Sequence, residues 1–344
     1  MKHQTVRFLV LSVLAIFLVT VVVGLLPGRA QAADTIAWAA PVSGDWGDAS
    51  KWNPARVPTS TDNVYITVDG DYTVSLNGTQ SVNSVVLSYA DNTGLPTLLL
   101  QGTESTIGVL TAAGDFTNNG AITMVPSTES TPRGAKISAS NMYNNGTITT
   151  AALAAANVGW AHYINNINNS GTININGDTN FSAGISGTFT NTGTINVADG
   201  TTLRAQVTTV TFNQQGGTLN VLGDMVVSSV AGTSGTTTFN LTGGTLTVNG
   251  NFSQSKGTFN YNAGTIGGTG SINLSDSTFN FNVAGPLTPA VTLINSNLNI
   301  GASATGAASF TWKGVGNFSG TLSSAQTLLL QGTESTIGVL TAAG

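Results

Sequence analysis

The sequence predicts an all-β protein, a right-handed parallel β-helix with coils of about 24 residues and a tryptophan-rich β cap at its start. Three observations carry this. First, one pentapeptide pattern recurs seven times: a polar residue, any residue, Gly, a small residue, then Ile or Leu. It reads NNGAI (118–122), NNGTI (144–148), NSGTI (169–173), NTGTI (191–195), QGGTL (215–219), TGGTL (242–246) and NAGTI (262–266). The shared glycines are Gly120, Gly146, Gly171, Gly193, Gly217, Gly244 and Gly264. Their even spacing falls at the lower end of the periods that mark solenoids. Second, an aromatic or Ile precedes each glycine: Phe116, Tyr143, Ile167, Phe189, Phe212, Phe239 and Phe259. Four copies share TFN, at Thr211–Asn213, Thr238–Asn240, Thr258–Asn260 and Thr278–Asn280. Third, a run such as TINI, TINV or TLTV follows each glycine. Such alternation marks a strand with one buried face.

These observations combine physically. A single repeat unit is too small to bury its apolar side alone. Stacked coil on coil, each strand pairs with its equivalent roughly 4.8 Å away, and the apolar residues form inward columns around one narrow core. The glycines belong at corners, where φ is positive or one coil passes close to the next. The asparagines beside them tolerate such corners, and their amides can bond the Asn one coil away; a ligand-binding role for the Asn face is the other reading. No stretch sustains a helical period with capping signals, so helices are not expected.

Composition narrows the function classes. Of 344 residues, 7% are charged, 42 are Gly and none is Cys. That excludes a disulfide framework, a thiol nucleophile and a cysteine-ligated metal. The solvent face must be built from Asn, Thr and Ser. Residues 1–32 read as a signal peptide: Lys2 and Arg7, then an apolar run from Phe8 to Leu26, then an A-x-A site at Ala30 and Ala32. The run is long enough to anchor in a bilayer if uncleaved. Removal of Lys2, Arg7 and Arg29 leaves seven of the ten cations against fifteen acids. A chain so acidic is not expected to bind nucleic acid.

The remaining segments follow in order. Residues 33–96 form a cap or first coils. Trp38, Trp46 and Trp52 stand there, and a solenoid end needs covering. They read as that cover or, alternatively, as a carbohydrate-stacking platform. Asp69-Gly70 could close a hairpin, or the segment could be the first coil. Residues 97–307 hold the β-helix repeats. Residues 308–344 read as the start of a further block, because TLLLQGTESTIGVLTAAG at 97–114 returns unchanged at 327–344. The shift is near ten coils. A longer protein with repeats of that size, or a sequence misjoined at a repeat, would each explain it. An uncapped last coil would favour self-association through open β edges.

The order Trp46, Trp52 beside Asn53, Pro58, Asp62, Val64 and Ile66, followed by N-x-G-T-I coils, resembles the start of large repetitive bacterial surface proteins. These are the β-helical passengers of the autotransporter and filamentous-haemagglutinin-like adhesin group. The resemblance implies secretion, display at the cell surface or outer membrane, and adhesion or matrix roles, with glycans or a neighbouring cell as partner. Its motifs specify architecture more than activity.

β-Helices also host polysaccharide lyases and glycoside hydrolases, so the acids are candidates. Asp178, Asp199 and Asp224 lie seven, six and seven positions after their glycines, each beside a Gly. At one corner of three successive coils they would stand about 5 Å apart. Such a ladder would hold a cation such as Ca2+ or a retaining-glycosidase pair. Asp beside Gly is also ordinary turn chemistry. His162, the one mature histidine, sits between aromatic neighbours and reads as packing. The sequence thus predicts an exported, non-enzymatic, adhesive β-helix, with a polysaccharide-active β-helix enzyme as the alternative.

Overall fold

The computed structural model describes residues 33–342, apart from 90–93, 103–106, 127–133, 153–161, 183–185, 231, 233 and 333–336. The signal segment with its apolar run, Arg133 and Trp160 fall outside these residues. Thr35–Gly344 is one compact unit. It is a parallel β-helix, and its only helix among the described residues is a 3₁₀ turn at Ala49–Lys51.

A full coil carries three strands on three faces. In one coil these are Thr202–Val207, Thr209–Gln214 and Thr218–Val221. The first lies in a 12-stranded sheet that runs to Gln326–Gln331; we call this the mixed face. The second and third belong to a 23-stranded sheet covering two faces. The sheet is continuous because Thr237–Val248 and Gly257–Gly267 run on round the corner between them. These are the Phe face and the Thr face, after the residues that dominate them.

Each face alternates as a half-buried strand must. On the Phe face the inward column runs Phe189, Phe212, Phe239, Phe259 and Phe279, all at most 1% exposed. Ring centroids of neighbours from Phe212 to Phe279 lie 5.4, 4.7 and 5.2 Å apart. Burying each such ring contributes roughly 1.5–3 kcal/mol, with ring–ring geometry adding to it. The inward residue two coils before Phe189 is Met142, not Tyr143: Phe116 pairs with Met142, and Tyr143 points outward, opposite Thr117 and Asn168. Strand alternation overrides the preference for an aromatic there.

The corner between the Phe and Thr faces shows what the recurrent pentapeptide does. Its first Asn is buried. Asn118 donates to Asn144 (2.6 Å), Asn144 to Asn169 (2.6 Å), Asn169 to Asn191 (2.7 Å) and Asn191 to Gln214 (2.8 Å). The same amides also donate to the carbonyls of Thr147, Thr172, Thr194 and Thr218. Buried amides satisfied in this way are stabilising, and each is costly to orphan. At the next coil the column turns apolar with Leu241, then Tyr261, whose hydroxyl accepts from Ile266 N–H (3.1 Å).

The glycines sit one step further on. A Cβ on Gly146, Gly171 or Gly193 would lie 2.1 Å from the carbonyl oxygen of the glycine one coil before. Gly217, Gly244 and Gly264 combine the same close approach with positive φ. Both expected reasons for glycine therefore apply, in different halves of one column.

The solenoid starts at once. Thr35–Trp38 pairs in parallel with Asn63–Ile66. Asp69-Gly70 does not close a hairpin: Asn63–Ile66 pairs with Ser84–Leu87, and Thr73–Asn77 with Thr97–Gln101. The coil alternative holds, because the partners of each strand come from adjacent coils. One antiparallel pair, Trp38 opposite Trp52, folds the tryptophan segment inward. Asp62, fully buried, anchors this start. It takes a bidentate Arg56 and accepts from Thr59 N–H (2.7 Å). Hydrogen bonding to the guanidinium pulls its carboxyl down to about 2.

Beyond Gly267 the Thr face continues only as a bridge between Ile266 and Leu287. Pro286 and Pro289 flank that position, and proline cannot donate to a ladder. The coils shorten with it: Phe259 pairs with Phe279, then Thr292 with Thr311 and Thr311 with Leu329, each step shorter than the one before.

The duplicated segments occupy different places. Thr97–Gln101 lies on the Thr face with Leu98 and Leu100 fully buried. Its second copy, within Gln326–Gln331, lies on the mixed face with Leu329 and Leu330 54% and 48% exposed. The shift between the copies is therefore not a whole number of coils, as equal coils would approximate. Coils range from the short one between Asn165 and Ser182 to the long one between Thr79 and Val109, and the differences accumulate to a different face.

Candidate binding face

The three aspartates are not brought together. Thr202 pairs with Asp224, and Leu203 with Thr179, so Thr202 occupies the step between Asp178 and Asp224. The two acids stand two coils apart, about 10 Å. Asp178 accepts from Thr202 N–H (2.8 Å). Asp199 lies outside that column, exposed in the turn with Gly200. The corner loops differ in length, so near-equal counts from the glycines do not give equal register. Among the described residues no group of three His, Cys, Asp or Glu could hold a metal ion.

The tryptophans form the cover and not a platform. Trp38, Trp46 and Trp52 are 1%, 1% and 2% exposed. Trp52 packs edge-on against Trp38 and Trp46, with centroids 4.9 Å away in both cases. Its Nε1 donates to Trp46 O (2.8 Å), and Trp38 Nε1 donates to Val42 O (3.1 Å). Stacking a sugar needs an open ring face, and these faces are against each other.

His162 is fully buried and structural. Ala135 N–H donates to Nδ1 (3.0 Å), and Nε2 lies 3.1 Å from Ala151 O, which fixes the neutral Nε2–H tautomer. Burial pushes its pKa down from 6.5 to about 4. The unfolded chain then binds the extra proton first. This stability is complete above about pH 6.5 and falls as pH drops through 6.5 towards 4. We expect melting temperature to decline over that window in the wild type. The decline should be shallower in His162→Gln, as measured by thermal scans of both proteins at matched pH values. Parallel curves would refute the assignment.

The outward side of the Thr face holds the most regular array. Register places Thr73, Thr97, Ala121, Thr147, Thr172, Thr194, Thr218, Thr245 and Thr265 in one column. Eight of these nine successive positions are Thr. The column spans eight steps, about 38 Å. Behind it lie buried Val74, Leu98, Ile122, Ile148, Ile173, Ile195, Leu219, Leu246 and Ile266. Thr245 and Thr265 share a hydroxyl contact of 3.1 Å. The side chains of Thr73, Thr97, Thr147, Thr172, Thr194 and Thr218 make no hydrogen bond within the described residues, so their hydroxyls face solvent.

The neighbouring columns differ. Beside the Thr column run Ser75, Leu99, Thr123, Thr149, Asn174, Asn196, Asn220, Thr247 and Gly267. Here Asn196 donates to Asn174 (2.9 Å) and Asn220 to Asn196 (2.8 Å). On the Phe face Asn240, Asn260, Asn280 and Asn299 form a similar chain of amides at 2.6–2.8 Å from Asn213 onward. An outward column of the mixed face reads Lys136, Tyr163, Asn180, Arg204, Val226, Ser253, Asn273, Thr292 and Thr311. Any residue type is tolerated there. The uniformity of the Thr column is therefore not imposed by the fold, although Thr suits a strand.

The pentapeptide contains this signal in its fourth position. The column's reach to Thr73 and Thr97 does not show in sequence, because those strands lack the pentapeptide. One open recess lies at a mixed–Phe corner, lined by Thr236, Thr238, Lys256, Thr258 and Asp276 among others. Lys256 and Asp276 have φ of 58° and 49° there.

No family model matches the sequence, no curated protein matches it, and no solved structure matches the fold.

Proposed function

We propose that the chain is an exported, non-enzymatic β-helix that works as a structural and adhesive rod outside the cytoplasm. The observation that carries this reading is the Thr column: a long, uncharged row of hydroxyls on a rigid surface, most of them without a partner among the described residues. Its rigidity has a cause in the buried amide ladder and glycine stack behind the adjoining corner. The separation of Asp178, Asp199 and Asp224 supports a binding over a hydrolytic role, because a retaining-glycosidase pair needs carboxylates about 5 Å apart. The N-terminal segment, and the resemblance to β-helical surface passengers, support export.

Expression of the full chain in a bacterial host tests this. The expected result is a chain that begins at Ala33 by mass spectrometry, is degraded by protease added to intact cells, and increases cell attachment to a coated surface. A chain that keeps its leader and resists added protease overturns the reading.

A further inference from the structure

We propose that the Thr column is the binding site for a neutral, extended polysaccharide lying along the rod axis, about one sugar per coil. This rests on the adhesive reading above and names its ligand and site.

The geometry sets the class. The column is uniform in one dimension only, and the column beside it changes from Ser to Leu, Thr, Asn and Gly. A two-dimensional lattice, such as a crystal surface, would need both columns to repeat. A linear polymer needs one. The step of roughly 4.8 Å between coils is close to the length of one sugar in an extended β-linked glycan, so hydroxyls on both partners can stay in phase.

Charge narrows it further. The outward positions of the Thr face from Thr147 to Thr265 are Thr, Asn and Gly alone. Nothing there pairs with a uronate, a sulfate or a phosphate, so a nucleic acid or an anionic glycan gains no ion pair. An extended peptide would seek unpaired backbone, and the strands of this face are paired on both sides from Thr97 to Thr245. A sugar hydroxyl can both donate to and accept from Thr Oγ1, while the Thr methyl packs on ring C–H groups. Each contact is weak, and affinity comes from repetition along the row.

The test is affinity electrophoresis of the full chain through gels holding hydroxyethyl cellulose, β-1,3-glucan, mannan or, as the anionic control, alginate. The variant is Thr172→Val with Thr194→Val and Thr218→Val. It keeps β-branched shape and strand preference and removes three hydroxyls. A control carries Ser253→Val with Thr292→Val on the mixed face. Retardation by a neutral glycan is expected. It should weaken about tenfold or more in the triple variant, with unchanged melting temperature and no change in the control. Equal retardation of wild type and triple variant overturns the site, and so does preference for alginate. Attachment to cells without retardation by any neutral glycan overturns the ligand class and leaves the adhesive reading standing. Neither attachment nor retardation overturns both.

Discussion

Gly171→Ala should cost the protein at least about 3 kcal/mol, the upper range for forcing atoms into a packed site. The new Cβ would lie 2.1 Å from Gly146 O and 2.6 Å from the Asn145 carbonyl carbon. Both are backbone, so no rotamer change relieves the clash. The Gly146 carbonyl also accepts from Thr172 N–H (2.8 Å), which ties the clash to a ladder hydrogen bond. Moving the coils apart would break that bond and its neighbours. Gly200→Ala is the comparison. Gly200 has φ of 70°, but a Cβ there meets nothing within 4 Å. Its cost should be limited to the left-handed backbone, roughly 1–2 kcal/mol. Denaturant unfolding of both variants reads the difference. Equal midpoints would mean that close coil contact is not what selects glycine at this corner.

Asn169→Leu should destabilise by about 2–4 kcal/mol, since it orphans two buried amide groups. Asn144 loses the Oδ1 that accepts its proton, and the side-chain oxygen of Asn191 loses its donor. Leucine itself fits the column, because Leu241 occupies it two coils beyond Asn191 and is fully buried. The cost would therefore report the broken ladder and not a misfit side chain. Gln214→Leu, at the ladder's end, removes a partner from Asn191 alone and should cost less. Hydrogen-exchange protection of the coils from Asn144 to Asn191 gives a second readout. If the two variants unfold at the same denaturant concentration, the amides are not cooperative along the column.

The fold was legible because the repeat writes its own constraints. Phe239, Phe259 and Phe279 recur in TFN and stack as inward rings, and the N-x-G corners repeat with them. Legibility failed where register depends on loop length. Asp178, Asp199 and Asp224 keep near-equal distances from their glycines, yet Thr202 separates two of them and a turn removes the third. Tyr143 failed for a related reason, since a shift of one position exchanges inward for outward. The tryptophans were legible as a cover by composition, but their mutual edge-on packing follows from the antiparallel pairing of Trp38 with Trp52, which no local pattern announces. The Thr column was visible in part. Its meaning needs the variable column of the mixed face as a comparison, and that comparison exists only once the strands are in register.

Coil length varies along the rod, and this has a mechanical consequence. The hydrogen bonds between coils run along the axis, so tension between the two ends loads them in series. They then open one coil at a time, as a zipper does, instead of shearing together. Each peeled coil releases a length set by how much chain it holds. A long coil, such as that between Val226 and Ser253, releases about 90 Å, and a short one, between Thr311 and Leu329, about 60 Å. A tether of this kind lengthens in unequal steps under load, and each step dissipates work before the attachment itself is strained.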